Sequence, residues 1–111
     1  MTQSSGVFTF PETGIYSVEF TVCLISSSPD DTLEANIKAT IDGTNYATIG
    51  RVKTGNEYGG YKTSAFVKAI FDVTNTSTHK VKFNINSFSG TIDADGNFPL
   101  TGAFFTRIGS T

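Results

Sequence analysis

The stretch Ile15 to Ile25, "IYSVEFTVCLI", alternates without a break. Tyr16, Val18, Phe20, Val22 and Leu24 take one phase, and Ser17, Glu19, Thr21 and Cys23 the other. A β-strand turns successive side chains to opposite faces, so a period of two predicts a strand with one buried face. The pattern recurs. Leu33 to Ile41 sends Leu33, Ala35, Ile37, Ala39 and Ile41 inward against Glu34, Asn36, Lys38 and Thr40. His79 to Phe88 sends Val81, Phe83 and Ile85 inward against Lys80, Lys82, Asn84 and Asn86. Asp42-Gly43-Thr44 supplies the residue types of a tight hairpin turn, after which Asn45 to Lys53 returns as a strand. From Tyr61 to Val73 one phase holds Ala65, Val67, Ala69, Phe71 and Val73, while the other holds Phe66, Lys68, Ile70 and Asp72. Apolar residues on both phases predict a strand covered on both sides, by a second sheet or by another subunit. Asn75 to Thr78 reads as a polar turn, Ser89 to Asn97 as a long loop, and Phe98 to Ile108 as a last strand. A chain end inside a sheet is tied down, so that strand is expected to be central.

Gly and β-branched residues are too frequent, and Ala, Leu and Glu too scarce, for a capped amphipathic helix. The fold class is therefore all-β: two antiparallel sheets packed as a sandwich. The 111 residues suffice for one domain, expected over 6–111, with 1–5 a linker or amino-terminal arm. A net charge of -2 offers no basic stripe for a nucleic acid. No apolar run suggests membrane insertion, and "MTQSSG" lacks the regions of a secretory signal.

Few residues suggest chemistry. His79 is the only histidine and is expected as a solvated strand-entry residue; Cys23, the only cysteine, is expected to be a small packing residue. One cysteine supports neither a disulfide framework nor a cysteine-based zinc site. Glu12, Glu19, Glu34 and Glu57 and the scattered Asp residues show no paired carboxylates of the kind a glycan depolymerase needs, so no enzyme and no cofactor are expected. "DADGN", with Asp93 and Asp95, is half of a calcium loop without its bidentate glutamate, and reads first as a turn. Asn75-Thr76-Ser77 matches a glycosylation sequon and reads as part of the turn. The loop from Thr54 to Thr63 sets Tyr58 and Tyr61 among glycines and polar groups, the composition of an adaptable recognition loop, with Arg51 and Lys53 beside it for acidic sugars or a neighbouring protein.

The stretch Val7, Phe8, Phe10, Pro11, Thr13, Gly14, Ile15 and Tyr16 resembles the "F-x-x-P-x-x-G-x-Y" corner of the jelly-roll superfamily shared by complement globular heads and tumour necrosis factors. The phrases "FDVTNTSTHKVKF" (71–83) and "FFTRIGST" (104–111) resemble endings of structural proteins from marine tailed phages, cyanophages in particular. The resemblance implies that Pro11 ends a short strand, Gly14 turns the chain and Tyr16 begins a long inner strand. It implies a homotrimeric jelly roll, made in the host cytoplasm and built into the virion among other virion proteins. Its place would be the tip of a tail fibre or spike, contacting a host surface glycan or protein, or alternatively the shell, as a capsid cement protein at threefold positions. A preceding fibre would favour the tip, and a true start at Met1 the cement. Calcium on the threefold axis, known in that superfamily, would fall to Asp93 or Asp95. Fourteen aromatics, ten of them Phe, exceed what one two-sheet core needs. Tyr16, Phe20, Phe66, Phe104 and Phe105 are the candidates for core or axis positions.

Overall fold

The computed structural model describes residues 1–26, 30–56, 62–87, 92–94 and 101–111. Through them run the strands β1 (Thr2–Ser4), β2 (Val7–Thr9), β3 (Gly14–Ser26), β4 (Asp30–Thr40), β5 (Tyr46–Asn56), β6 (Lys62–Val73), β7 (Lys80–Ser87), β8 (Ile92–Ala94) and β9 (Gly102–Gly109). They form two antiparallel sheets packed face to face, one in the order β1-β2-β7-β4-β5, the other with β3 between β6 and the pair β8 and β9.

The pairings nest. β4 and β5 form a hairpin, β3 pairs β6 outside it, and β2 pairs β7 outside that. Successive pairs lie in alternate sheets, so the chain is a long double ribbon wrapped around its own core. Two further ladders, β4 with β7 and β3 with β9, stitch the wraps together.

The alternation explains which side faces in. Tyr16, Val18, Phe20 and Val22 of β3 and Ala65, Val67, Ala69, Phe71 and Val73 of β6 meet Leu33, Ala35, Ile37 and Ala39 of β4 and Val81 of β7 in one buried cluster. Each large apolar side chain so buried contributes about 1.5–3 kcal/mol. One end of the sandwich is aromatic. Phe10, 2% exposed, lies 4.6 Å from the Tyr16 ring and 5.8 Å from both Phe71 and Phe105. Phe83 stacks on Phe20 at 4.7 Å and meets Phe8 edge-on at 5.5 Å.

Several expectations change. Thr2–Ser4, expected in a linker or arm, pairs with Val7–Thr9 as an edge hairpin, because Ser5 (φ 51°) and Gly6 (φ 79°) adopt the two left-handed positions of a tight turn. Ile41, expected inward, is 68% exposed: β4 ends at Thr40, and the turn swings the next side chain out. That turn forms as expected. Gly43 has φ 82°, and one Asp42 carboxylate oxygen accepts from the backbone N–H groups of Thr44 and Asn45, each at 2.8 Å. β8 lies inside the segment expected as a loop and pairs with the end of β3 beyond the reach of β9. β9, expected to be central, is paired only to β3 among the described residues, while β3 lies between β6 and β9.

Candidate functional site

The Pro11 to Tyr16 corner is a fixed piece of architecture. The Tyr16 hydroxyl donates to the Glu12 carbonyl at 2.9 Å. Arg107 Nε donates to the Thr13 carbonyl at 3.1 Å and lies 3.4 Å from the Glu12 carboxylate, so the end of the chain clamps the corner. Gly14, at φ 154°, has no room for a side chain: a Cβ would run into Arg107 Nε and lie 2.9 Å from the Gly109 carbonyl oxygen.

Of the five aromatics expected at core or axis, Tyr16 and Phe20 are in the core and Phe105 packs against it. Phe66 and Phe104 do not join them. They stand 53% and 41% exposed on the opposite, outer face of the β6-β3-β9 sheet, since Phe66 pairs Thr21 and Phe104 pairs Glu19, both outward residues of β3. Ile70, 56% exposed, shares this face opposite Ser17, and Ile108, 57% exposed, is the extra residue at a bulge where Ile15 and Tyr16 pair Gly109 and Arg107. On this face the Ser17 hydroxyl is buried and, among the described residues, is the one buried side-chain polar atom without a hydrogen-bond partner. Lys68 and Glu19, direct partners in the ladder, form an ion pair 3.8 Å apart between the apolar side chains.

Arg51 and Lys53 lie on the outer face of the other sheet, opposite Asn36 and Glu34 of β4. Arg51 Nε is 3.1 Å from the Glu34 carboxylate and donates to Asn36 Oδ1 at 3.2 Å. Glu34 and Asn36, expected outward, do point away from the apolar core, yet they are only 4% and 1% exposed. A central strand is roofed by the longer side chains of both neighbours, and alternation alone cannot anticipate that. A concavity of about 300 Å³, lined by Thr48, Ile49, Gly50 and Arg51, opens beside them. Tyr58, Tyr61 and Asp95 lie outside the described residues. Asp93 is placed by its backbone alone, in β8 opposite Ile25.

His79 is not the solvated residue expected. It is 9% exposed, its ring lies 5.7 Å from that of Phe71, and its two ring nitrogens hydrogen-bond to the Thr74 hydroxyl at 3.2 Å and the Thr78 hydroxyl at 3.0 Å. It closes the turn in which Asn75 accepts the backbone N–H groups of Ser77, Thr78 and His79. Cys23 is buried with a free thiol. No three His, Cys, Asp or Glu side chains group as a metal site among the described residues.

Sequence reading put Ile70 on the apolar phase of Phe66 without naming it among the candidates, and the structure sets both on the outer face. The exposure of Ile108 at the bulge had no signal in the alternation. A scan against protein-family models and a search of curated proteins find no match to this chain.

Proposed function

We propose that this chain is a non-enzymatic, homotrimeric jelly-roll domain of a phage virion, placed at the tip of a tail fibre or spike and contacting a host surface receptor. The nested pairing of β4 with β5, β3 with β6 and β2 with β7 supports the jelly-roll assignment, because a ribbon wound in this order is how that fold is built. The corner at Pro11 to Tyr16 carries the likeness to the trimeric superfamily.

The observation that carries self-association is the outer face of the β6-β3-β9 sheet. Phe66, Ile70 and Phe104 expose their side chains on this face, and the Ser17 hydroxyl is buried there without a partner. Apolar groups clustered on a sheet face favour burial against another surface. A closed symmetric assembly of identical chains supplies one, and it leaves the other sheet facing outward for a ligand. Three weak contacts on one particle then gain strength from effective concentration.

Light scattering coupled to gel filtration tests the reading. The expected mass is about three times the 11.9 kDa of one chain, and a Phe66→Glu, Phe104→Glu variant should run as a folded single chain. A single-chain mass for the parent at submillimolar concentration would remove the trimer. Counting copies in intact virions separates tail from shell: a handful supports the fibre tip, and hundreds would place the domain on the capsid as cement.

A further inference from the structure

The outer face of the five-stranded sheet collects positive charge. Among the described residues, Lys38 of β4, Arg51 and Lys53 of β5, and Lys80 and Lys82 of β7 all sit in outward register, five of the chain's eight Lys and Arg. Among the described residues one carboxylate shares the face, that of Glu34, and it is paired with Arg51. A chain with a net charge of -2 therefore carries a strongly cationic face.

The arrangement works against stability. Lys38 and Lys82 are direct partners in the β4·β7 ladder, and like charges placed opposite each other on neighbouring strands are destabilising. No ion pair among the described residues involves Lys38, Lys80 or Lys82. Lys82 instead reaches across the sheet to lie 4.1 Å from the centre of the Tyr46 ring. The half-buried Asn84 and Asn86 complete the row, each amide able to donate and accept at once. The concavity at Thr48 to Arg51 borders it along the β5 edge.

We infer that this face binds an acidic polysaccharide. Cations on three neighbouring strands match the repeating carboxylates of such a chain, and the asparagine amides match its hydroxyls. The overall negative charge disfavours a duplex nucleic acid, whose binding draws on phosphate contacts over a long stretch. The inference rests on the attachment reading for the ligand's place on a host surface. The face itself lies on the sheet opposite the one assigned to self-association.

Biolayer interferometry with the intact chain over immobilised alginate, with neutral dextran and duplex DNA as comparisons, tests it. Binding to alginate and not dextran is expected at low salt, falling as salt rises. A Lys38→Gln, Lys82→Gln variant should bind roughly tenfold more weakly, while melting close to the parent because relief of the like-charge pair offsets loss of the Lys82 contact with Tyr46. Lys68→Gln, on the other sheet, should leave binding unchanged, and Asn84→Ala should weaken alginate binding without altering the mass in solution. Absence of alginate binding, equal binding by the double variant, or tighter binding to DNA than to alginate would overturn the inference. Scattering on the same samples reports assembly separately, so a trimer that ignores alginate refutes only the ligand, and a single chain that binds it refutes only the trimer.

Discussion

Replacing Phe10 by alanine is the sharpest test of how the aromatic end is held. Phe10 lies just outside β2, is 2% exposed, and touches rings from three strands: Tyr16 of β3 at 4.6 Å, Phe71 of β6 at 5.8 Å and Phe105 of β9 at 5.8 Å. Truncating a buried Phe to Ala costs about 3–5 kcal/mol, from lost transfer energy and from the cavity left behind. Here the upper half of that range is expected, since the neighbouring rings are themselves pinned. Tyr16 is tied to the Glu12 carbonyl, and Phe105 is also packed on Phe8 at 5.2 Å, so collapse into the space is limited. A domain of this size is stable by about 5–15 kcal/mol in all, so the loss is a large fraction of the total. At about 4–8 °C per kcal/mol it should lower the melting temperature by roughly 15 °C or more. The chain has four tyrosines and no tryptophan, so tyrosine fluorescence, with Tyr16 beside the cavity, together with far-ultraviolet dichroism, follows unfolding in urea. Phe66→Ala is the comparison. On a dilute single chain it should cost less than about 1 kcal/mol, because its ring is outside the core. A Phe10→Ala variant melting within a few degrees of the parent, or a dilute Phe66→Ala variant equally destabilised, would refute this account of which aromatics form the core.

Two further substitutions probe the corners of the fold. Gly14→Ala should destabilise the chain by roughly 2–3 kcal/mol in urea unfolding, since its methyl would meet Arg107 and the Gly109 carbonyl; a neutral effect would mean that β9 is not clamped to the corner. The Asp42 carboxyl is held well below its ordinary value of 3.8, first by the Asn45 backbone N–H, then by the Asn45 amide and the Thr44 N–H. A depressed folded-state value stabilises above the unfolded value and loses that contribution as pH falls. The stability gap between parent and Asp42→Ala should thus be full near neutral pH and shrink as pH drops below the ordinary carboxylate value. A gap that stays constant into acid would show that Asp42 acts without its charge.

The polar phases of the strands show how far a sequence carries and where it stops. Lys80, Lys82 and Lys38 are legible as outward residues because alternation fixes each side chain relative to its own strand. Their assembly into one face is not legible, since 44 positions separate Lys38 from its partner Lys82 in β7 and only the register joins them. His79 shows the opposite failure. A lone histidine at a strand entry looks solvated, and its burial depends on Thr74, Thr78 and Phe71 closing around the turn. Phe66 and Phe105 carry the same chemistry, and what separates them is phase. Phe105 pairs inward-facing Val18, whereas Phe66 pairs outward-facing Thr21.

By itself the sequence determined the longer strands, the buried side of β3, β4 and β7, and the Asp42-Gly43 turn. These follow from local physics: side chains that alternate at every residue, and a few backbone conformations that only certain residues tolerate. The tertiary structure decided the rest: that β9 pairs β3, that Thr2–Ser4 and Ile92–Ala94 join sheets, that Phe66 and Ile70 share an outer face with Phe104, and that five cations meet on the other. Those outcomes depend on which strands become neighbours and in what register, and a one-residue shift of register would exchange every buried side chain for an exposed one.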